Sequence, residues 1–217
     1  MAEGITRRDF VRAGVLAGGA LVLDGVSGCA PSASGDKAEV ATPTTSYGED
    51  AEMSKRILVG YATRTGSTVG VAEAIGATLA ERGFSVDVRP LKERPSLAGY
   101  DACVLGSAIN GGAWLPEAMR YLEANRATLE TLPTAVYCVH IMNAGDGEKA
   151  RRKRNAYLGK VRDLVTPVDE GFFLGKGPTA EETSLIARWA FKAFGGAGAG
   201  DCRDWEKIRG WAQRARV

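Results

Sequence analysis

Histidine occurs once in the 217 residues, at His140. A metal cluster built from imidazoles is therefore excluded, as is a catalytic triad that needs two of them. Cysteine is nearly as scarce. Cys103 and Cys138 fall in apolar runs that read as central strands, Cys202 stands alone in a Gly-rich loop, and there is no Cys-x-x-Cys. Neither a zinc site nor an iron–sulfur cluster is indicated, and the three thiols beyond Cys29 make no disulfide framework. Gly-Lys-Ser/Thr and Gly-x-Gly-x-x-Gly are both missing, so nucleoside triphosphates and NAD fit poorly. The formal net charge is only +2, without the basic excess of a nucleic-acid-binding domain.

Against these absences stands one well-formed stretch, Lys55 to Arg82. Ile57, Leu58 and Val59 are an apolar run with no alternation, which reads as a strand buried on both faces; Gly70 to Leu79 then changes to helical spacing. Strand, tight turn and helix open an α/β domain. In the turn, Thr63, Thr65, Ser67 and Thr68 surround Gly66 as the helix begins, with Arg64 among them. Hydroxyls and unpaired backbone N–H groups converge there, a cradle suited to a single terminal phosphate. The alternative is a plain Ser/Thr helix cap.

Downstream, Phe84 to Pro90 alternates as a second strand nearer an edge, and a short loop through Pro95 and Leu97 replaces a full helix. Ala102 to Gly106 is a central strand that empties into Ser107-Ala108-Ile109-Asn110-Gly111-Gly112-Ala113-Trp114, with a helix expected from Pro116 to about Thr128. Thr134 to Val139 is the fourth strand, continued by His140-Ile141-Met142-Asn143-Ala144-Gly145, and Val168 to Leu174 is the fifth. Between them Glu148 to Arg162 is helical in composition and strongly basic. Two amphipathic helices close the chain, Ala180 to Phe194 and Asp204 to Ala215, separated by a Gly-rich break.

Thr-x-Thr-Gly-Ser-Thr directly after an apolar first strand resembles the FMN-phosphate loop of the flavodoxin family. From Lys55 to Val217 the chain is similar to that family's protoporphyrinogen oxidase branch, through the extra helix, the Gly-rich loop and Asp201-Cys202-Arg203-Asp204-Trp205. The resemblance implies a flavodoxin-like three-layer α/β/α sandwich around a five-stranded parallel sheet of order 2-1-3-4-5, with its ligand in the crevice where that order reverses. It also implies FMN as the cofactor, with Thr63, Arg64, Thr65, Gly66, Ser67 and Thr68 around the phosphate. The ring would lie by Ser107, Ala108, Ile109, Asn110, Gly111 and Gly112, where backbone N–H groups reach its polar edge. Trp114 offers a face for stacking, unless it covers the apolar side of the Pro116 helix. The loop with His140, Asn143 and Gly145 would cover the other side of the flavin, His140 either touching it or being a hydrogen-bonded strand-end residue. No catalytic residue and no metal ligand is assigned.

The first 29 residues read as a targeting segment. Thr6-Arg7-Arg8-Asp9-Phe10-Val11-Arg12 resembles a twin-arginine export signal, the alternative being the charged start of a general secretory signal; the apolar run Ala13 to Leu23 is short and rich in Gly and Ala for a bilayer span. Val26-Ser27-Gly28-Cys29 resembles a lipobox, which implies a lipid at Cys29 against a chance thiol. Twin-arginine export carries folded proteins, as a flavin inserted in the cytoplasm requires. Residues 30–54 are polar and read as a flexible, disordered tether, with Met53 a less favoured internal start.

Export, a lipid and the basic helix together suggest work at the outer membrane face, through anionic headgroups or an acidic redox partner. The expected function is an FMN-dependent oxidoreductase, protoporphyrinogen oxidase-like or linked to a membrane quinone. An electron carrier without its own substrate and a non-redox phosphate-ligand module are the alternatives.

Overall fold

Ile57, Leu58 and Val59 are fully buried, as an unalternating strand between two layers must be. In the computed structural model, which describes residues 40–48, 55–177, 193 and 195–217, they lie in β2 (Arg56–Ala62). The expected export signal with Cys29, the remainder of the expected tether and, but for residue 193, the helix expected over Ala180 to Phe194 lie outside the described residues.

The strands are β1 (Thr45–Tyr47), β2, β3 (Ser85–Pro90), β4 (Ala102–Asn110), β5 (Ala113–Trp114), β6 (Thr134–His140) and β7 (Asp169–Leu174). Their order is β1-β3-β2-β4-β6-β7, with β5 paired to β4 alone. From β3 to β7 the neighbours are parallel, which is the expected five-stranded order. Alternate residues of β2 feed two cores. Ile57, Val59 and Tyr61 join one with α1 (Ser67–Glu81) and α6 (Trp205–Arg214), and Leu58 and Ala62 join the other with α2 (Pro116–Ala124). Helices on both faces of a parallel sheet make the three-layer α/β arrangement.

Three expectations need correction. Part of the tether is structured: Thr45–Tyr47 pairs antiparallel with β3. Ser46 Oγ donates to Asp87 Oδ1 at 2.6 Å, and Tyr61 OH donates to the Pro43 carbonyl at 2.7 Å. The helix expected to reach Thr128 breaks at Asn125, whose side-chain amide donates to the Tyr121 carbonyl and so competes with the helical ladder; a short α3 (Arg126–Leu129) follows. The basic stretch is α4 (Glu148–Asn155), a 3₁₀ turn (Ala156–Leu158) and α5 (Gly159–Arg162). The turn drops Tyr157 and Leu158 into the core, whereas α4 buries nothing. Among the described residues no helix is long and apolar enough to cross a membrane, and no His, Cys, Asp and Glu cluster is placed to hold a metal.

Candidate functional site

Three loops leave the carboxyl ends of adjacent parallel strands. Ala62 of β2 pairs with Ser107 of β4, and Ser107 with Cys138 of β6, so the loops after β2, β4 and β6 share one edge of the sheet.

The first loop is built to leave donors free. Gly66 caps α1 at φ 83°, ψ −13°, in the left-handed region where a Cβ is unfavourable. Its N–H donates to Thr63 Oγ1 at 3.0 Å, and its carbonyl accepts from Val69 N at 3.2 Å. Thr63 therefore shapes the turn from within. The Ser67 and Thr68 N–H groups, at the positive end of the helix dipole, have no acceptor among the described residues. Thr68 is fully buried and its Oγ1 has no partner, a state that costs about 1–3 kcal/mol unless a ligand relieves it. Arg64 and Thr65 are exposed at the rim. Convergent N–H groups, an unengaged buried hydroxyl and the cationic rim fit a terminal phosphate.

The second loop is a hairpin. Asn110 pairs with Ala113 and Ile109 with Trp114. Gly111 (φ 60°) and Gly112 (φ 83°) form the two-residue turn between them, where positive φ at both positions matches the right-handed twist of the strands. Ser107 is fully buried; its hydroxyl accepts from Leu115 N at 2.9 Å and donates to the Ala108 carbonyl at 2.8 Å. It is a pin. Trp114 is 4% exposed, packed in the core beside α2, and its indole N–H donates to Cys138 Sγ at 3.2 Å. The stacking face expected of Trp114 is not available in this arrangement; the ring covers the apolar side of α2 instead. Burial pushes the Cys103 and Cys138 thiols up to about 12. Ala108 and Ile109 are half-buried, and Asn110, Gly111 and Gly112 are exposed along the rim.

The third loop is held from both sides. His140 is 4% exposed and its Nδ1 donates to the Met142 carbonyl at 2.8 Å; burial first, then the Arg154 and Lys207 cations, lowers its pKa to about 4. It is a neutral strand-end histidine. Asn143 takes φ 59°, which an Asn side chain tolerates, and donates to Tyr157 OH at 2.6 Å. Arg154 Nη1 donates to the Asn143 and Gly145 carbonyls, each at 2.6 Å. Ala144 N donates to the Gly195 carbonyl, and Ala197 N to that of Ile141. Gly145 is exposed.

Two neighbours of the site carry no motif. Gly175, just after β7, reaches the cradle wall: a Cβ there would lie 3.1 Å from Ser67 Oγ. Arg203 lies against α1 at Gly70, where a Cβ would stand 2.6 Å from its Nη1. The Gly-rich run before Arg203 marks a loop in the sequence, but nothing in it marks where the loop lands.

A family model described as a flavodoxin domain matches residues 58–180, more than half of the 217-residue chain. No curated protein matches. Similar solved structures include oxidised flavodoxin 1 of Bacillus cereus, 18% identical over 59% of this chain and 89% of that one, with a TM-score of 0.43. Flavodoxin 2 of the same organism is 21% identical over 72% and 94%, with a TM-score of 0.44. The rubredoxin oxygen:oxidoreductase of Desulfovibrio gigas is 14% identical over 73% and 34%, with a TM-score of 0.42. Matched over more than half its length, cradle included, the chain belongs to the flavodoxin-domain family, and FMN is its cofactor.

Proposed function

We propose that this FMN redox protein is a flavin-dependent oxidoreductase of the quinone-linked or protoporphyrinogen oxidase-like type. It works at the outer face of a membrane after twin-arginine export, with a lipid at Cys29. The observation that carries the proposal is the placement of α4. This helix has no buried residue, presents Lys149, Arg151, Arg152 and Lys153 to solvent, and is tied through Arg154 to the carbonyls of the third loop. A cationic face joined to a cofactor loop is suited to anionic headgroups, each well-placed basic group contributing about 1 kcal/mol.

FMN, when bound, supplies the electron-transfer chemistry. The residues around it bind and orient. Thr63 and Gly66 set the turn, Ser67 and Thr68 would hold the phosphate, and Thr65 and Arg64 stand at the rim. The backbone of 108–112 and of 143–145 would flank the ring, and His140 holds its Nδ1 proton on the Met142 carbonyl.

An electron carrier without its own substrate is the second reading. The cavity at the third loop, lined by residues that include His140, Asp146, Arg154, Asp204 and Lys207, has a volume of about 200 Å³, and the one beside it, sharing Arg154, Phe172, Phe173 and Lys207, about 320 Å³, small beside the usual 300–1,000 Å³ of small-molecule sites.

Reoxidation of the reduced protein separates the two. Quinone in anionic vesicles should reoxidise the wild type faster than it does a variant with Arg151, Arg152 and Lys153 changed to Glu, and the difference should shrink as salt rises. Arg154 is left intact because it holds the third loop. Equal rates would overturn membrane docking, and no reaction with any quinone would leave the carrier.

A further inference from the structure

Arg203 packs against the first turns of α1 at Gly70, and no motif explains its position. It precedes Asp204, the N-cap of α6, whose side chain accepts from Lys207 N at 2.9 Å. Its guanidinium stacks on Trp205, 4.4 Å from the ring centroid. Asp201 accepts from Nε at 2.8 Å and from Nη2 at 2.5 Å. Nη1, which Asp201 does not engage, is the end that lies against Gly70. Cα–Cβ bonds of a helix tilt toward its N-terminus, so a group standing where the Gly70 Cβ would be sits over the turn that carries Ser67 and Thr68. Glycine inside a helix is unfavourable relative to alanine; room for this guanidinium is what the packing offers in return.

The Arg203 side chain is only 11% exposed, against 42% for Asp201. Arg203 is therefore a held cation beside the cradle, with a partner that solvent can reach. The loop is fixed to the cradle by a second route. Cys202 N donates to the Gly175 carbonyl, and Gly175 abuts Ser67. In the same first turn of α1, on another face of the helix, Thr68 Oγ1 is buried without a partner. A phosphate monoester carries a charge of about −1.5 to −2 near neutral pH, whereas the cradle itself offers neutral donors and the exposed Arg64.

We infer that Arg203 is a phosphate-recognising residue of the flavin site: it supplies counter-charge to the terminal phosphate from the α1 side, and Asp201 competes with the phosphate for it. The inference rests on the cradle being the FMN-phosphate site. Its consequence is selectivity, since riboflavin has the same ring and no phosphate. A planar guanidinium offers several fixed donors to phosphate oxygens, so Arg203 favours FMN over riboflavin, and Asp201 limits how strongly.

The test is a fluorescence titration of the full chain, freed of flavin, with FMN and separately with riboflavin. Arg203→Met should weaken FMN binding about tenfold, the order expected for losing one hydrogen-bonded charge, and leave riboflavin binding within about twofold. Asp201→Asn should tighten FMN binding about threefold without affecting riboflavin, because it releases a charge-assisted partner. A gain of affinity cannot come from misfolding. Gly70→Ala, which favours the helix but displaces the guanidinium, should follow Arg203→Met in direction. The FMN preference of the wild type should fall with added salt more steeply than that of Arg203→Met. Wild type binding FMN with an unchanged FMN-to-riboflavin ratio in all three variants overturns the inference and leaves the cradle standing. Wild type binding both flavins equally, or neither, overturns the phosphate cradle and this inference with it.

Discussion

The cradle at residues 63–68 and the hairpin at residues 107–114 leave neighbouring strands at one edge of the sheet, and each turns on glycine, Gly66 in the first and Gly111 and Gly112 in the second. They differ in where their polar groups go. In the hairpin Ser107 is fully engaged and the Trp114 indole N–H has a buried acceptor. In the cradle the Ser67 and Thr68 N–H groups and Thr68 Oγ1 are left over. Glycine alone does not distinguish the loop that holds a phosphate from one pinned by its own side chains. Unfinished hydrogen bonding does when it is concentrated at one point: Tyr137 OH in the core is also buried without a partner, but among the described residues only at the cradle does such a hydroxyl stand with free helix-end N–H groups.

The same substitution made in both loops puts the contrast under the greatest strain. Gly66→Val forces a β-branched residue to φ 83°, a strain of about 1–3 kcal/mol. It also turns the helix-end N–H groups away, so FMN affinity should fall about a hundredfold or more. Gly111→Val carries similar strain at φ 60° with open space around the added atoms. It should lower thermal stability while FMN titration changes several-fold at most. Equal loss of affinity in both variants would erase the distinction between the loops.

The third loop sharpens the comparison, being engaged throughout and also titratable. His140 has its pKa lowered to about 4 from 6.5, so the unfolded chain binds its proton first. The stability this neutral imidazole contributes is complete above about pH 6.5 and is lost as pH falls toward 4, on the order of 3 kcal/mol in all. Denaturant unfolding between pH 7 and 4 should show that slope, and His140→Gln should flatten it. A wild-type slope that survives in His140→Gln would place the titration elsewhere.

The smallest effects should have opposite signs. Ser107→Ala strands the buried Leu115 N–H and should destabilise the domain by about 1–3 kcal/mol with little change in FMN affinity. Thr68→Val removes a hydroxyl that has no partner. It should leave the flavin-free protein as stable or up to about 1 kcal/mol more so, yet weaken FMN binding about tenfold. Destabilisation by Thr68→Val would mean that its hydroxyl is already satisfied.

Much of this was legible in the sequence because it is local. Ile57 to Val59 announce a buried strand, and Thr63 to Thr68 announce the turn and helix start, each within a few residues. Asn110-Gly111-Gly112-Ala113 held a hairpin signal as well, which reading it as an open loop overlooked. With the hairpin folded back, Trp114 is drawn into the core and away from the rim. What stayed illegible depends on partners far along the chain. Thr45–Tyr47 is a strand only because β3 is there to receive it, and Arg203 reaches the cradle only because Gly70 leaves it room. Neither has a periodicity of its own to detect.

β1 has a further consequence, one of solubility. It occupies the outer edge of β3 at Val86, Asp87 and Val88, so the middle of that strand's row of N–H and C=O groups is closed to other molecules. A chain begun at Met53 would retain the cradle and every parallel strand, but it would present β3 as a bare edge, a template for pairing with a second copy. Its first defect would be self-association through β3, with the cradle's own residues still in place.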